Sequence, residues 1–524
     1  MRIELSLLGF AIGVAKVIAH SYTEIPMARL LTFLFAIAAF TAKSQTPCQG
    51  LKSLSLLEAE IKAAEDVPAG TLPAHCRVAA VLTPSSDSHI EMEVWLPRAD
   101  AWNGKYQAVG NGGWAGTITY GSGTPQPNAR SMASALMDGY ATSSNDTGHK
   151  GTGGDASFAA GHPEKLVDFA HRAVHEMTVR SKKIIAAYYG RATRLSYWNG
   201  CSTGGRQGLM AAQRYPDDFD GIIAGAPAAN WTGLMTSFIW AAQAAYQGQP
   251  GNLPKEKLAL LHNAVIKSCD ELDGVKDGVL EDPRRCKFDP KTVECQGSDG
   301  PACLTAPQVE AARRIYSGPI NSRTKKSIYP GMLPGSELGW DSVRGLQPFG
   351  IGESYFRFPV FNDAKWDYRS MDFDNTIAKI NQMHATWMNA MDPDLSRFFA
   401  RGGKLLQYHG WDDQQISALN SLNYYLSVLE SMGDADKVAR SYRLFLAPGM
   451  MHCSNGAGPN QFNPMAVLEQ WREKGVPPER IVASHVTGGV VDVTRPWCPY
   501  PQVAVYNGSG TIRDSANFTC KAPP

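Results

Sequence analysis

The residues G-C-S-T-G at 200–204 set a serine hydroxyl between two small residues, with a glycine at either end. The run before them, L-S-Y-W-N-G (195–200), reads as a strand, and G-L-M-A-A-Q-R-Y-P (208–216) reads as a helix. Between a strand and a helix, G-x-S-x-G is a nucleophile elbow. The glycines permit the bend, and the hydroxyl stands above the sheet edge. The first N–H groups of the helix then face the place where negative charge develops. Ser202 is the candidate nucleophile for acyl transfer; without those flanks the same residues would be a turn.

A serine nucleophile needs a base, and the base needs a group to orient it. On such a sheet the chain order is Ser, then Asp or Glu, then His. Two later strands end suitably: K-L-L-Q-Y-H-G (404–410) leads into Asp412 and Asp413, and Y-R-L-F-L-A-P-G (442–449) leads into His452. His452 is the expected base and Asp413 its expected partner, with Asp412 expected to face solvent or cap the next helix. The glycine-rich loop Gly110-Asn111-Gly112-Gly113-Trp114 follows an early strand. The N–H groups of Gly113 and Thr203 are the expected oxyanion donors.

A third group is acidic. C-D-E-L-D-G-V-K-D-G-V-L-E-D (269–282) carries Asp270, Asp273 and Asp277 at short spacing, and Gly274 and Gly278 let the chain curl. The carbonyls of Val275 and Val279 would then turn inward. Oxygen donors in this number suit calcium better than zinc or copper. The spacing is not that of an EF-hand, and spacing alone reads equally as a solvated acidic loop.

These groups are positioned by alternating elements. Strands are predicted in two parts of 76–97, at 106–116, 140–146, 195–200, 221–227, 404–410 and 442–449, with helices at 164–189 and 418–431. The alternation implies a mainly parallel sheet with helices on both faces. The stretch 228–400 lacks this rhythm and reads as a domain inserted between two parts of the core, 45–227 and 401–524. Its aromatic runs F-I-W (238–240) and Y-F-R-F-P-V-F (355–361) read either as contacts for a substrate ring or as core.

The 524 residues are 44% hydrophobic and 19% charged, and 50 basic residues against 49 acidic give +1. No basic tract suggests a nucleic-acid partner. From Met27 the chain reads M-A-R-L-L-T-F-L-F-A-I-A-A-F-T-A-K-S. That is a signal peptide, with residues 1–26 as an upstream extension; its apolar run falls short of the roughly 20 residues needed to span a bilayer. A secreted or periplasmic protein with no stable membrane span in the mature chain follows. Ten cysteines in an oxidising compartment suggest disulfides. Connectivity stays open to spacing. Short separations suit Cys48 with Cys76, Cys269 with Cys286, Cys295 with Cys303 and Cys498 with Cys520. Cys201 and Cys453 would then join the neighbours of the nucleophile and the base.

G-C-S-T-G-G with Cys201, H-G-W-D-D with Asp413, and H-C with Cys453 together resemble the CS-D-HC arrangement of the tannase/feruloyl esterase family. The acidic segment resembles that family's calcium loop. The resemblance runs from about Cys48 to Cys520. It implies an α/β-hydrolase core, an inserted lid holding structural calcium, the five cysteine pairs above, and hydrolysis of small aromatic carboxylic esters. The family includes tannases, feruloyl esterases and mono(2-hydroxyethyl) terephthalate hydrolase. Ile416, a candidate substrate contact, stands where that last enzyme has an aromatic residue, and Thr203 where it has an acidic one. A peptidase, or a binding protein that kept the fold, are the rival readings.

Overall fold

The computed structural model describes residues 45–122, 130–246 and 251–523. The signal peptide and the upstream extension lie outside the described residues.

One nine-stranded sheet organises the chain: β1 (Ala59–Val67), β2 (His75–Leu82), β3 (Ile90–Pro97), β4 (Lys105–Val109), β5 (Ala141–Asn145), β6 (Leu195–Cys201), β7 (Gly221–Gly225), β8 (Lys404–Gly410) and β9 (Tyr442–Ala447). Their spatial order is β1-β2-β3-β5-β4-β6-β7-β8-β9. Pairings are antiparallel from β1 to β5 and parallel from β5 to β9. The short period-two runs of 76–97 mark the antiparallel edge, while the central strands are buried on both faces.

Alternation along the central strands sorts their side chains into two cores. Trp198, Ile222, Leu405 and Leu444 pack on one side with the helices α1 (Ala173–Tyr189) and α2 (Thr203–Arg214). Tyr197, Ile223, Leu406 and Phe445 pack on the other, against Met465, Leu468 and Trp471 of a late helix. Both faces of the central strands are thus covered, and polar residues such as Gln107, Thr142 and Gln407 are buried along with the apolar ones.

The helix expected over 164–189 is interrupted by a π-helical turn, Asp168–Arg172. Strand β1 was not anticipated. Neither were the two separate two-stranded sheets of the C-terminal region, within 481–497 and 503–521.

β7 and β8 are neighbours in the sheet, yet they are separated in sequence by the whole aromatic-rich stretch. That stretch adds helices and no strand to the main sheet. Its longest helix, α3 (Trp231–Tyr246), is buried along most of its length. Phe238, Ile239, Tyr355, Phe356 and Val360 are buried too, so half of the two aromatic runs is core. Phe358 and Pro359 line an open groove of about 570 Å³ whose walls include none of Ser202, Asp413 and His452. Residues Thr46–Pro524 form one compact unit. Among the described residues no helix is long and apolar enough to cross a membrane.

Candidate active site

Ser202 lies between β6 and α2 with φ 62° and ψ −122°. A non-glycine residue there is strained by about 1–3 kcal/mol and is held by what surrounds it. Three contacts hold it: the Ser202 N–H donates to the Gly225 carbonyl at 3.0 Å, and the Ser202 carbonyl accepts from the N–H groups of Arg206 and Ala228, each at 3.1 Å. The approach of strand and helix also requires glycine. A Cβ on Gly200 would lie 2.5 Å from the backbone of Gly204.

Facing the elbow is the loop after β4. Gly113 has φ +55°, and a Cβ on it would sit 2.3 Å from the Gly153 carbonyl oxygen. The Thr203 hydroxyl donates to the Gly113 carbonyl at 2.6 Å, so the two expected oxyanion residues are tied together. Gly204 spends its N–H on the Asn111 carbonyl. Thr203, as first residue of α2, presents an N–H for which the helix itself supplies no acceptor.

Asp413 follows β8 and is buried. All four of its hydrogen-bonding directions are used. Oδ1 accepts the N–H groups of Gln415 and Ile416, each at 2.9 Å. Oδ2 accepts His452 Nδ1 at 2.7 Å and His409 Nε2 at 3.1 Å. Burial works to raise this carboxyl, but the charge of His452 and hydrogen bonds from both imidazoles outweigh it and hold Asp413 well below the usual carboxylate range.

Asp412 differs. It neither faces solvent nor caps the following helix; its carboxyl is buried, and Oδ1 has no hydrogen bond. The backbone turn that gives Asp413 two N–H donors leaves its neighbour in a pocket beside Glu337. Burial, and then that charge, push Asp412 well above the carboxylate range.

His452 is half-buried, and its backbone N–H donates to Gln414 Oε1 at 3.2 Å. Cys201 and Cys453 form a disulfide with Cα atoms 6.1 Å apart. Ser202 and His452 are therefore each next to one end of a covalent tie. The other pairs are Cys48–Cys76, Cys269–Cys286, Cys295–Cys303 and Cys498–Cys520, and among the described residues no cysteine is free.

Ile416 is buried in the apolar cluster that includes Trp231, Phe238 and Tyr355, and its backbone is pinned to Asp413. Sequence reading missed two residues around this loop. His409 is one, although it stands four positions before Asp413 in the same motif. Arg344 is the other: it comes from the inserted segment and donates to the carbonyls of Gln414 and Gln415 at 3.2 and 2.8 Å. No spacing signal links position 344 to the motif.

The acidic loop curls around Asp270, whose Oδ1 accepts the Gly278 N–H at 3.0 Å. Asp273 Oδ1 accepts from Val275, and Asp277 Oδ1 from Val279. Glu281 is buried, donates nothing, and accepts the Ala504 N–H at 2.7 Å through one oxygen while Oε2 has no hydrogen bond. Arg495 pairs with Asp277 and lies 3.7 Å from Glu281. The donors of this loop are all oxygen, which suits a hard divalent cation in kind, but among the described residues the carboxylates of Asp270, Asp273 and Asp277 do not converge on one point.

The tannase and feruloyl esterase family model matches residues 76–521. An uncharacterized esterase of Xanthomonas campestris pv. campestris is 37% identical, over 94% of this chain and 95% of that protein. A probable feruloyl esterase B-2 of Aspergillus terreus is 35% identical, over 85% of this chain and 86% of that protein. The crystal structure of feruloyl esterase B from Aspergillus oryzae superposes with a TM-score of 0.83 at 31% identity, covering 90% of this chain and 99% of that one. Tannin acyl hydrolase from Aspergillus niger gives a TM-score of 0.75 at 25% identity, covering 92% and 94%. The chain belongs to the tannase and feruloyl esterase family: it is a carboxylic ester hydrolase with an α/β-hydrolase fold.

Proposed function

We propose that the chain is an exported serine esterase that cleaves small aromatic carboxylic esters, of the feruloyl, hydroxycinnamoyl or galloyl type, through Ser202, His452 and Asp413. The observation that carries this is the 2.7 Å contact of Asp413 with His452 Nδ1, in a loop crosslinked to the neighbour of Ser202. With Nδ1 donating to Asp413, Nε2 is free to take the serine proton. The hydroxyl attacks the ester carbonyl, and the N–H groups of Gly113 and Thr203 stabilise the oxyanion. His452 then protonates the leaving alcohol, and water cleaves the acyl-enzyme by the same route. Asp413 keeps its charge throughout and stabilises the imidazolium. The segment between β7 and β8 serves as the lid, and Ile416 lies where it meets the triad loop.

Calcium is the proposed structural ion, held by the carboxylates of Asp270, Asp273 and Asp277 and the carbonyls of Val275 and Val279. Its charge would offset carboxylates that otherwise repel one another. Export is supported by the five disulfides, which persist in oxidising compartments.

Ser202→Ala should lower ester hydrolysis on the order of 10⁴-fold or more and abolish fluorophosphonate labelling. Undiminished turnover in that variant would remove the reading. A panel of methyl ferulate, methyl gallate, chlorogenate, mono(2-hydroxyethyl) terephthalate and a peptide then separates the ester classes and the peptidase alternative.

A further inference from the structure

His409 has no assigned part in this chemistry, yet its ring is buried and both nitrogens are engaged. Nε2 lies 3.1 Å from Asp413 Oδ2 and 3.0 Å from the Ile416 carbonyl oxygen. Both neighbours accept, so Nε2 carries the proton. Nδ1 lies 2.7 Å from the Ser421 hydroxyl, on the helix α4 (Ala418–Met432). A hydroxyl both donates and accepts, so Ser421 can hold this nitrogen while the Nε2 proton stays on the Asp413 side.

The shared acceptor matters. His409 and His452 donate to the same oxygen, Oδ2, while Oδ1 is fastened by the loop backbone. Loss of the His409 N–H would free a buried lone pair and let the carboxylate turn. A charged His409 would draw on the negative charge that His452 needs. Tyr329 and Arg344, both from the inserted segment, also interact electrostatically with Asp413.

We propose that His409, anchored at its far nitrogen by Ser421, is a positioning residue that fixes the Asp413 carboxylate for His452 and shares its charge. The proposal rests on the triad reading. It adds that Asp413 carries two imidazoles, one reacting and one fixed. It also ties α4, through Ser421, to the geometry of the base.

The test is the pH–rate profile of His409→Phe, His409→Gln and Ser421→Ala, with Ser202→Ala and His452→Ala alongside. His409→Phe should lower kcat on the order of 10- to 10²-fold with KM little changed. The acidic limb of kcat/KM should move up by roughly half a pH unit or more, because Asp413 then gives His452 its undivided charge. His409→Gln keeps an N–H donor and should recover part of the rate. Ser421→Ala should move kcat in the same direction by less. Proton NMR of the native enzyme should show two far-downfield imidazole N–H signals, one of them lost in both Ser421→Ala and His409→Phe spectra or broadened by exchange in the former. A folded His409→Phe enzyme with an unmoved limb and native kcat overturns the proposal. If His409→Phe does not fold, native kcat in Ser421→Ala together with a single downfield signal in the native enzyme overturns it. Activity surviving in Ser202→Ala or His452→Ala would instead overturn the triad itself.

Discussion

Asp412 and Asp413 are chain neighbours with opposite states, and the difference is hydrogen bonding. Asp413 receives four donors, while Asp412 has an oxygen with none. Asp413→Asn should therefore lower kcat on the order of 10⁴-fold in steady-state kinetics, since an amide favours the wrong imidazole tautomer. Asp412→Asn should leave kcat within a few-fold. Its effect is on stability, and the sign follows from proton binding. Burial and Glu337 raise Asp412 in the folded state. Above the unfolded value near 3.8, the native protein binds a proton that the unfolded chain does not, so this residue costs more stability as pH rises. The melting temperature of Asp412→Asn relative to wild type should grow between pH 4.5 and 7.5. A difference independent of pH would show that Asp412 is ionised in the fold.

Elements matter where backbones must touch. The Thr203 hydroxyl donates to the Gly113 carbonyl and so ties the proposed oxyanion pair, and Thr203→Val should cost about tenfold in kcat while KM holds. Gly113→Ala should cost more, on the order of 10²- to 10³-fold, because both its φ of +55° and the 2.3 Å approach to Gly153 exclude a Cβ. The π turn before α1 has a use as well. It exposes the carbonyls of Phe169 and Ala170, and the buried guanidinium of Arg206 on α2 donates to both, as well as to Met388 in the inserted segment. Arg206 also lies over the rings of Phe169 and Trp231. Burial with no carboxylate beside it lowers Arg206 to about 9. Arg206→Ala should destabilise the fold by about 3 kcal/mol or more in urea unfolding, through orphaned carbonyls and a cavity.

At the scale of the whole molecule, distant segments meet through covalent and ionic ties. Cys201 and Cys453 are 252 residues apart, and their bond spans the entire inserted segment. Replacing both with serine should cost roughly 2–5 kcal/mol and lower activity further than the melting temperature alone would suggest, since the two loops of the proposed triad lose their common anchor. The acidic loop is tied to the C-terminal sheets by Arg495 and by Glu281 with Ala504. Chelation should lower the melting temperature, with calcium restoring it and magnesium doing so poorly. A melting curve indifferent to chelator would count against the ion.

The sequence by itself determined the sheet's central strands, the elbow at Ser202, and the segments carrying Asp413 and His452. Those depend on local period, on glycine and on chain order, which neighbouring residues encode. Only the tertiary structure decided which of two adjacent aspartates receives the donors, that His409 shares the carboxylate, and that Arg344 braces the loop from the inserted segment. Burial and hydrogen-bond partners come from chain segments tens to hundreds of residues away, and no local pattern records them.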